Sequence, residues 1–132
     1  MREYKFRGKR VDAGEWIYGC LVVNPYETSI CDENDVTFGR YDVVPETVGQ
    51  YITLKDKNGA EIYEGDIVSH GGQWRGAVSF GEFQVFTEDD SYWCLGWMAG
   101  DIELDPRGEP LQYIVIGNIY ENPELLDHGV AA

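Results

Sequence analysis

Hydrophobic and polar residues along this chain alternate in short runs with the two-residue period of β-strands, and turn residues separate the runs. Outside a central stretch, the pattern predicts strands at residues 4–8, 15–23, 36–44, 74–80, 83–86, 92–98 and 111–120. Gly81 and Glu82 are predicted to turn the chain between two of them. The last run is almost continuously apolar, so we expect a strand that is buried on both faces and closes the sheet.

The central stretch, residues 47–69, contains a hairpin whose register follows from its charges. A two-residue loop would place Asp56 opposite Glu61, two like charges across the ladder. A three-residue loop with Gly59 in the left-handed region instead places Lys55 opposite Glu61. We therefore predict the three-residue loop. It assigns four further positions: Lys57 and Asn58 in the loop, and Leu54 and Ile62 on the core face.

A second turn follows the hairpin at Glu64, Gly65 and Asp66. Gly65 can adopt positive φ, and the Asp66 carboxylate can accept a hydrogen bond from a nearby backbone amide. We predict that both residues shape this turn and that the next strand opens at Ile67.

These elements predict a mainly all-β protein. Short strands separated by glycine turns are typical of a small bent barrel, so we expect an N-terminal β-hairpin subdomain (1–47) followed by an SH3-like barrel (48–121). An OB-like barrel is the alternative, although its longer strands fit less well. Residues 122–132 are predicted to form a short helix and a frayed tail, because Asn122 can cap, Pro123 suits the first position and Glu124 suits the first turn.

Composition agrees with this fold class. Among 132 residues, nine Tyr, five Phe, four Trp and 16 Gly favour strands joined by tight turns. No apolar run approaches the length of a membrane span, and the N-terminal residues lack the apolar segment of a secretory signal. We expect an intracellular protein with no membrane partner.

Charge is unevenly distributed along the chain, whose net charge is −14. Residues 1–10 hold five basic side chains and one acid, whereas the other 122 residues hold five basic and 23 acidic side chains. Such an acidic body repels phosphates, so direct nucleic-acid binding is not expected. The basic start is either a solvated edge strand or a segment docked on acidic residues of its own or a neighbouring chain; the edge strand is favoured, because surface ion pairs contribute little.

No set of residues predicts catalysis or a cofactor. Ser69 and His70 are adjacent on a strand and point to opposite faces, and His128 lies in the predicted tail. The acidic loops lack the ligand spacing of a calcium site. Cys20, Cys31 and Cys94 are an odd number of widely spaced cysteines without a CxxC pair, which argues against a disulfide framework and a zinc knuckle. We therefore interpret Cys20 and Cys94 as small buried residues.

Three sequence blocks resemble, in their order and spacing, the YopX family of small proteins carried by bacteriophages and prophages. They are MREYKFRGKR with the following EWIYG, then TVGQYITLKDKNGAEIYEGDIV, and finally IVIGNIYENPELL. The resemblance spans nearly the whole chain. It implies a two-part β-rich protein with an SH3-like C-terminal part, expressed in a bacterial cytoplasm, and it implies no activity and no catalytic residues.

Two features depart from the pattern that this family shows. Relatives often carry Thr-Gly where this chain has Ile52-Thr53, so we expect the bulge that glycine would support to be absent and the strand to run straighter. The acidic loop from Glu88 to Asp90 is particular to this sequence.

The function predicted from these observations is a non-catalytic interaction module, a phage or prophage accessory protein that binds another protein or itself as a homo-oligomer. An acidic DNA mimic that inhibits a DNA-binding protein is the alternative, and a small hydrolase or nuclease has the least support. We expect at least two of three tryptophans, Trp74, Trp93 and Trp97, to lie in the core. Exposure of two of them on one face with Tyr92 would indicate a partner-binding patch; the candidate interaction surface is Trp74, Tyr92, Trp93 and Trp97.

Overall fold

The computed structural model describes residues 4–34, 39–70, 74–100, 102–104 and 113–126. The chain divides into two compact units, unit 1 at Met1–Thr53 and unit 2 at Leu54–Ala132. Regular structure in both units is almost entirely antiparallel strand, which confirms the all-β class. The subdomain boundaries drawn from the sequence stay a prediction.

Unit 1 is one antiparallel sheet with a short 3-10 helix. Its elements are β1 (Phe6–Lys9), β2 (Trp16–Asn24), β3 (Glu27–Asp32), β4 (Arg40–Asp42), the 3-10 helix Pro45–Thr47, and most of β5 (Gly49–Lys55). The strands lie in the order β4-β3-β2-β1-β5. The β1–β2 hairpin is confirmed, whereas β3 has no counterpart among the predicted strands.

Unit 2 contains the end of β5 and six further strands. The strands are β6 (Glu61–Tyr63), β7 (Asp66–His70), β8 (Trp74–Phe86), β9 (Ser91–Ala99), β10 (Ile102–Glu103) and β11 (Ile114–Asn118). β6 neighbours β5, and a 3-10 helix, Pro123–Leu126, follows β11. A five-stranded sheet has the order β10-β9-β8-β7-β11. Within the described ranges this sheet has two edges, and the SH3-like closure of residues 48–121 stays a prediction.

The core of unit 1 forms where alternate residues of its strands face one side. Ile17, Ile30 and Val43 are buried there, and four partly buried side chains pack against them: Phe6, Leu21, Tyr41 and Val48. Burying each large aliphatic side chain stabilises the fold by about 1.5 to 3 kcal/mol. Gly8 of β1 permits the close approach of Val43, because a Cβ at Gly8 would lie 2.9 Å from the Cβ of Val43.

The basic N-terminal segment is an interior strand, so its interpretation as a solvated edge is wrong. β1 pairs with β2 on one side and with β5 on the other. Three basic side chains dock on unit 1 itself. Lys5 Nζ lies 3.5 Å from Glu33 Oε2, Arg7 lies 4.8 Å from the Trp16 ring, and Arg10 lies 4.2 Å from the Tyr41 ring. Stacking on aromatic faces explains how a charged strand can be central, because the cations pack against their own sheet.

The central hairpin has the predicted register. The backbone amide of Asp56 donates to the carbonyl of Ala60 (2.8 Å), and Gly59 has φ +87°, as a three-residue loop with a left-handed glycine requires. Ile62 is buried and Leu54 is half-buried.

The turn after β6 is also as predicted. Gly65 has φ +93°, and the Tyr63 amide donates to Asp66 Oδ2 at 2.7 Å. A side chain at Gly65 would meet the Tyr120 ring at 2.9 Å, so both backbone conformation and space favour glycine here.

The expectation of a straighter strand at Ile52-Thr53 is wrong. Thr53 has φ +65°, and it is the one non-glycine residue with positive φ in the part of the chain that the structure describes. Its hydroxyl donates to the carbonyl of Ile52. The backbone thus keeps a glycine-like conformation although the side chain is β-branched.

Two predictions for the second half of the chain are wrong. β8 continues through Gly81 and Glu82 without a turn, because β9 pairs with it residue by residue across this point. β11 is an edge strand beside β7, and its residues alternate in exposure, with Ile114 and Ile116 on the exposed side. The described part of the apolar run therefore forms a half-exposed strand at an edge of the five-stranded sheet.

The C-terminal helix is a single turn of 3-10 type. The Asn122 Oδ1 accepts a hydrogen bond from the Asn118 amide at 3.2 Å, and the capping role expected for this side chain stays a prediction. The predicted tail, residues 128–132, lies outside the described residues, as do residues 36–38 of a predicted strand. No helix among the described residues is long and apolar enough to cross a membrane.

Candidate protein-interaction surface

The longest hairpin among the described residues, which we call the arm, runs from Val78 to Ala99. β8 and β9 pair in unbroken register along it, from Val78 opposite Ala99 to Phe86 opposite Ser91. Among the described residues, β7 pairs with β8 up to Ala77, and β10 pairs with β9 at Met98 and Ala99. The Leu104 amide, just after β10, donates to the Trp97 carbonyl at 3.0 Å. In the part of the chain described, most of the arm is therefore a two-stranded ribbon.

The tip of the arm is closed by local hydrogen bonds. The Thr87 amide donates to the Asp90 carbonyl at 2.8 Å, and the Asp90 amide donates to Thr87 Oγ1 at 3.0 Å. Asp90 Oδ1 then accepts from the Ser91 amide at 2.7 Å. The loop is thus held by its own side chains, which fixes the register of the strands that it joins.

Register places large apolar side chains on one face of the arm, which we call the aromatic face. Directly opposite residues share a face, and faces alternate along each strand. Phe86 is 73% exposed, Leu95 67%, Trp93 66% and Phe80 54%. Trp97 is half-buried and meets Phe80 edge to face, with ring centroids 5.2 Å apart.

The candidate surface named from the sequence is divided by this geometry. Trp93 and Trp97 lie on the aromatic face, whereas Tyr92 lies on the other face of the arm opposite Val85. Trp74 lies at the start of β8, with its ring centroid 5.9 Å from that of Tyr113. Trp74 and Trp97 are half-buried and Trp93 is exposed, so none of the three tryptophans is a fully buried core residue.

Sequence reasoning missed three members of the aromatic face: Phe80, Phe86 and Leu95. The signal that could have found them is the acidic stretch Glu88 to Asp90. Taken as a hairpin loop, it pairs the apolar positions before it with those after it.

The charged side chains of the arm are all acidic. Residues 78–99 contain four acids, Glu82, Glu88, Asp89 and Asp90, and no Lys, Arg or His. A shallow hollow of about 300 Å³ on the arm is lined by Glu82, Trp93, Cys94 and Leu95. It combines an apolar floor with one carboxylate, an arrangement that can accept a side chain with an apolar stem and a cationic end.

A second shallow hollow, of about 310 Å³, lies in unit 1 and is lined by Val11, Asp12, Arg40, Tyr41 and Asp42. Two of its charged side chains are paired, Asp12 with Arg10 and Arg40 with Glu27. Two hydrogen bonds join the Arg10 guanidinium to the Asp12 carboxylate, at 2.8 and 3.0 Å. This contact lowers the pKa of Asp12 and raises that of Arg10, so both groups are held in their charged forms.

The residues considered for catalysis are not brought together. Ser69 is buried and His70 is exposed at the end of β7, its ring centroid 5.4 Å from that of Tyr113; His128 lies outside the described residues. Among residues that the structure describes, no three His, Cys, Asp or Glu side chains are grouped to hold a metal ion. Cys20 is exposed, which corrects its interpretation as a buried residue, and Cys94 is half-buried.

The comparisons with known proteins establish the family. The family model described as YopX protein matches residues 5–127. The chain belongs to the YopX family. The match covers the arm and nearly all of both units of this YopX chain.

Among solved structures, the crystal structure of protein EF1440 from Enterococcus faecalis aligns with 96% of this YopX chain and 99% of its own. The two are 24% identical, with a TM-score of 0.48. No curated protein matches the sequence.

Proposed function

We propose that this YopX protein is a non-catalytic interaction module whose arm binds a positively charged, partly apolar segment of another protein. The observation that carries the proposal is the exposure, by more than half, of four large apolar side chains on one face of a two-stranded ribbon. Contiguous exposed apolar surface marks interaction sites in soluble proteins, and aromatic anchors supply most of the binding energy at such sites.

The ribbon form of the arm gives a second argument. A two-stranded hairpin without further strands or a covering layer is marginally stable in water. A partner that covers the aromatic face would both bury apolar area and stabilise the arm, so folding and binding favour the same complex.

Charge complementarity selects the kind of partner. The arm carries four acids and no basic residue, within a chain of net charge −14. Arginine or lysine side chains can stack on the exposed rings of Trp93 and Phe86 while they approach the carboxylates of the tip. A second copy of the same acidic arm would bring like charges together, so a different protein is favoured over a homo-oligomer.

Family membership supports an inference about the biological setting. We infer an accessory protein of a phage or prophage, acting in the bacterial cytoplasm without a cofactor. The SH3-like arrangement expected for residues 48–121 belongs to the same inference, since small barrels of that kind commonly serve as binding modules.

Fluorescence anisotropy with synthetic peptides of equal length tests the proposal. One labelled peptide alternates Arg and Leu, one alternates Arg and Ser, and one alternates Asp and Leu. We expect the Arg–Leu peptide to bind. The double variant Trp93→Ser, Leu95→Ser should weaken this binding about tenfold or more, because it removes two anchors.

Tyr92→Ser is the matched control, because Tyr92 is an exposed aromatic residue on the other face of the arm. It should leave the affinity within about twofold of the wild type, as expected of a residue outside the contact. Equal weakening by both variants, or equal binding of the Arg–Ser peptide, would refute a specific aromatic face. Light scattering that showed a dimer lost in the double variant would identify a second copy as the occupant.

The alternative proposal, an acidic DNA mimic, is supported by the excess of acid in unit 2, whose 79 residues hold 15 acidic and four basic side chains. It predicts that the chain inhibits a DNA-binding protein. Glu88→Gln, Asp89→Asn, Asp90→Asn should then relieve the inhibition, whereas Trp93→Ser, Leu95→Ser should not. The opposite pattern would support the aromatic face.

A further inference from the structure

Two cysteines that are distant in sequence meet across neighbouring strands of unit 1. Cys20 of β2 lies directly opposite Cys31 of β3 in the antiparallel ladder. Directly opposite residues point to the same face of a sheet, so the two thiols are neighbours. Cys20 is exposed and Cys31 is half-buried, which gives solvent a route to the pair.

The backbone geometry allows a bond between them. The Glu33 amide donates to the Tyr18 carbonyl at 2.9 Å, two positions along the same register, so Cys20 and Cys31 also occupy a hydrogen-bonded pair. Cα atoms of such a pair are about 5.5 Å apart, within the range of about 4.4 to 6.8 Å found in disulfides.

The distance between the Cβ atoms is less favourable for a disulfide than the distance between the Cα atoms. Cβ atoms of opposite residues lie about 4.5 to 5.5 Å apart, whereas disulfides prefer about 3.5 to 4.5 Å. Bond formation therefore draws β2 and β3 together locally. A disulfide closed against such resistance is reduced more readily than a relaxed structural one.

We propose that Cys20 and Cys31 form a reversible thiol–disulfide site, with a small disulfide of the glutathione class as its oxidant. The exposed Cys20 thiol loses its proton and its sulfur attacks the oxidant, which forms a mixed disulfide and releases one thiol of the oxidant. The deprotonated sulfur of Cys31 then attacks the Cys20 sulfur and displaces the second thiol. The chain loses two protons and two electrons, and the oxidant is reduced to two thiols.

The third cysteine supplies an internal control. Cys94 lies on the arm opposite Phe83, so no cysteine faces it across the ladder. The parent protein for the test is the full chain with Cys94→Ser, in which any intrachain disulfide must join the remaining pair.

The experiment equilibrates this parent in buffers of reduced and oxidised glutathione, followed by acid quenching, alkylation of free thiols and mass spectrometry of peptides. We expect a Cys20–Cys31 linked peptide that disappears when the reduced glutathione is raised. In the Cys31→Ser variant of the same parent, glutathione should remain on Cys20 at a level about tenfold or more above the parent, because the neighbouring thiol that displaces it is gone.

Three results would overturn the site: equal glutathione on Cys20 in parent and variant, a disulfide between chains in place of the linked peptide, or a linked peptide that resists reduction. The reduction of the linked peptide is measured on the parent itself, so it tests the proposal even where Cys31→Ser disturbs β3.

Discussion

Thr53 adopts a backbone conformation that β-branched residues rarely take, with φ +65° in β5. A non-glycine residue in this region costs of order 1 to 3 kcal/mol. Its side chain is exposed, so little packing is lost if it is removed. We expect Thr53→Gly to stabilise the protein by about 1 kcal/mol, after allowance for the greater freedom of glycine in the unfolded chain, as a higher urea midpoint of unfolding.

The control for this prediction is Lys55→Gly, because Lys55 is also exposed and lies two residues later in the same strand. Its φ is not positive, so glycine should there destabilise by about 0.5 to 1 kcal/mol. Destabilisation by both glycines would contradict the assigned strain at Thr53.

Glu27 gives the protein a pH-dependent contact. Its carboxylate accepts hydrogen bonds from Ser29 Oγ (3.0 Å) and Asn24 Nδ2 (3.2 Å), and Arg40 lies 3.3 Å away. The Ser29 hydrogen bond first, then that from Asn24, lowers the pKa of Glu27. A group whose folded pKa is lowered stabilises the fold above its unfolded pKa, and this contribution is lost as the pH falls through the folded value.

The measurement is a carboxyl NMR titration of Glu27 together with urea unfolding from neutral pH down to about pH 3. Ser29→Ala should raise the pKa of Glu27 toward the ordinary value, and Glu27→Gln should make the stability less dependent on acid. A wild-type pKa of Glu27 at or above that of a free glutamate would contradict the assigned contacts.

At the scale of elements, Asp56 joins the β5–β6 loop to β11. This buried carboxylate accepts from the amides of Asn58 (2.8 Å) and Ala60 (2.9 Å) with one oxygen, and from Val115 (2.9 Å) with the other. Asp56→Ala leaves three amides without their acceptor. Because hydrogen bonds to a charged acceptor are strong, we expect a loss of about 3 kcal/mol or more in the free energy of unfolding.

Asp89→Ala is the control for this prediction, since Asp89 is exposed in the arm loop. It should change the free energy of unfolding by less than about 0.5 kcal/mol. Hydrogen exchange of the Val115 amide separates the proposed link from a general loss of stability. We expect its protection in Asp56→Ala to fall by more than the global change, and an equal fall would show that the link is unimportant.

Turn chemistry explains which elements could be predicted from the sequence. At Gly59, Gly65 and Asp66 the backbone conformation and its hydrogen bonds are decided by residues within three or four positions, so local reasoning succeeds. Gly81 has the same local signal, yet its strand continues, because Gly96 of β9 lies opposite and keeps the ladder intact. Whether the chain turns or continues as a strand at Gly81 therefore depends on Gly96, which lies 15 residues later in the sequence.

The interaction surface, too, could be predicted only in part from the sequence. Aromatic residues in β9 could be noticed from composition, but whether Tyr92 or Trp93 shares a face with Trp97 depends on strand alternation and on the register set by the arm loop. The position of β11 at an edge likewise depends on the order of strands, which the apolar content of the segment does not specify.

At the scale of the whole chain, the excess of acid is concentrated in unit 2. Unit 1 holds six basic and nine acidic residues, whereas unit 2 holds four basic and 15 acidic residues. Ion pairs in unit 1 include Lys5–Glu33, Arg10–Asp12 and Arg40–Glu27. Electrostatics should therefore oppose folding in unit 2 and assist it weakly in unit 1.

Salt should consequently act on the two units with opposite signs. Raising the ionic strength from about 0.01 M to 0.15 M shortens the screening length from about 30 Å to about 8 Å, which weakens both the repulsion in unit 2 and the ion pairs of unit 1. Hydrogen exchange measured peptide by peptide should show greater protection at the higher salt for residues 54–70 and 113–126. Residues 4–34 should show unchanged or slightly reduced protection.

Replacing NaCl with an equal osmotic strength of sucrose controls for effects that are not electrostatic, because sucrose favours burial in both units without screening charge. An equal increase in hydrogen-exchange protection of both units with added salt would mean that the uneven distribution of charge does not affect their stability.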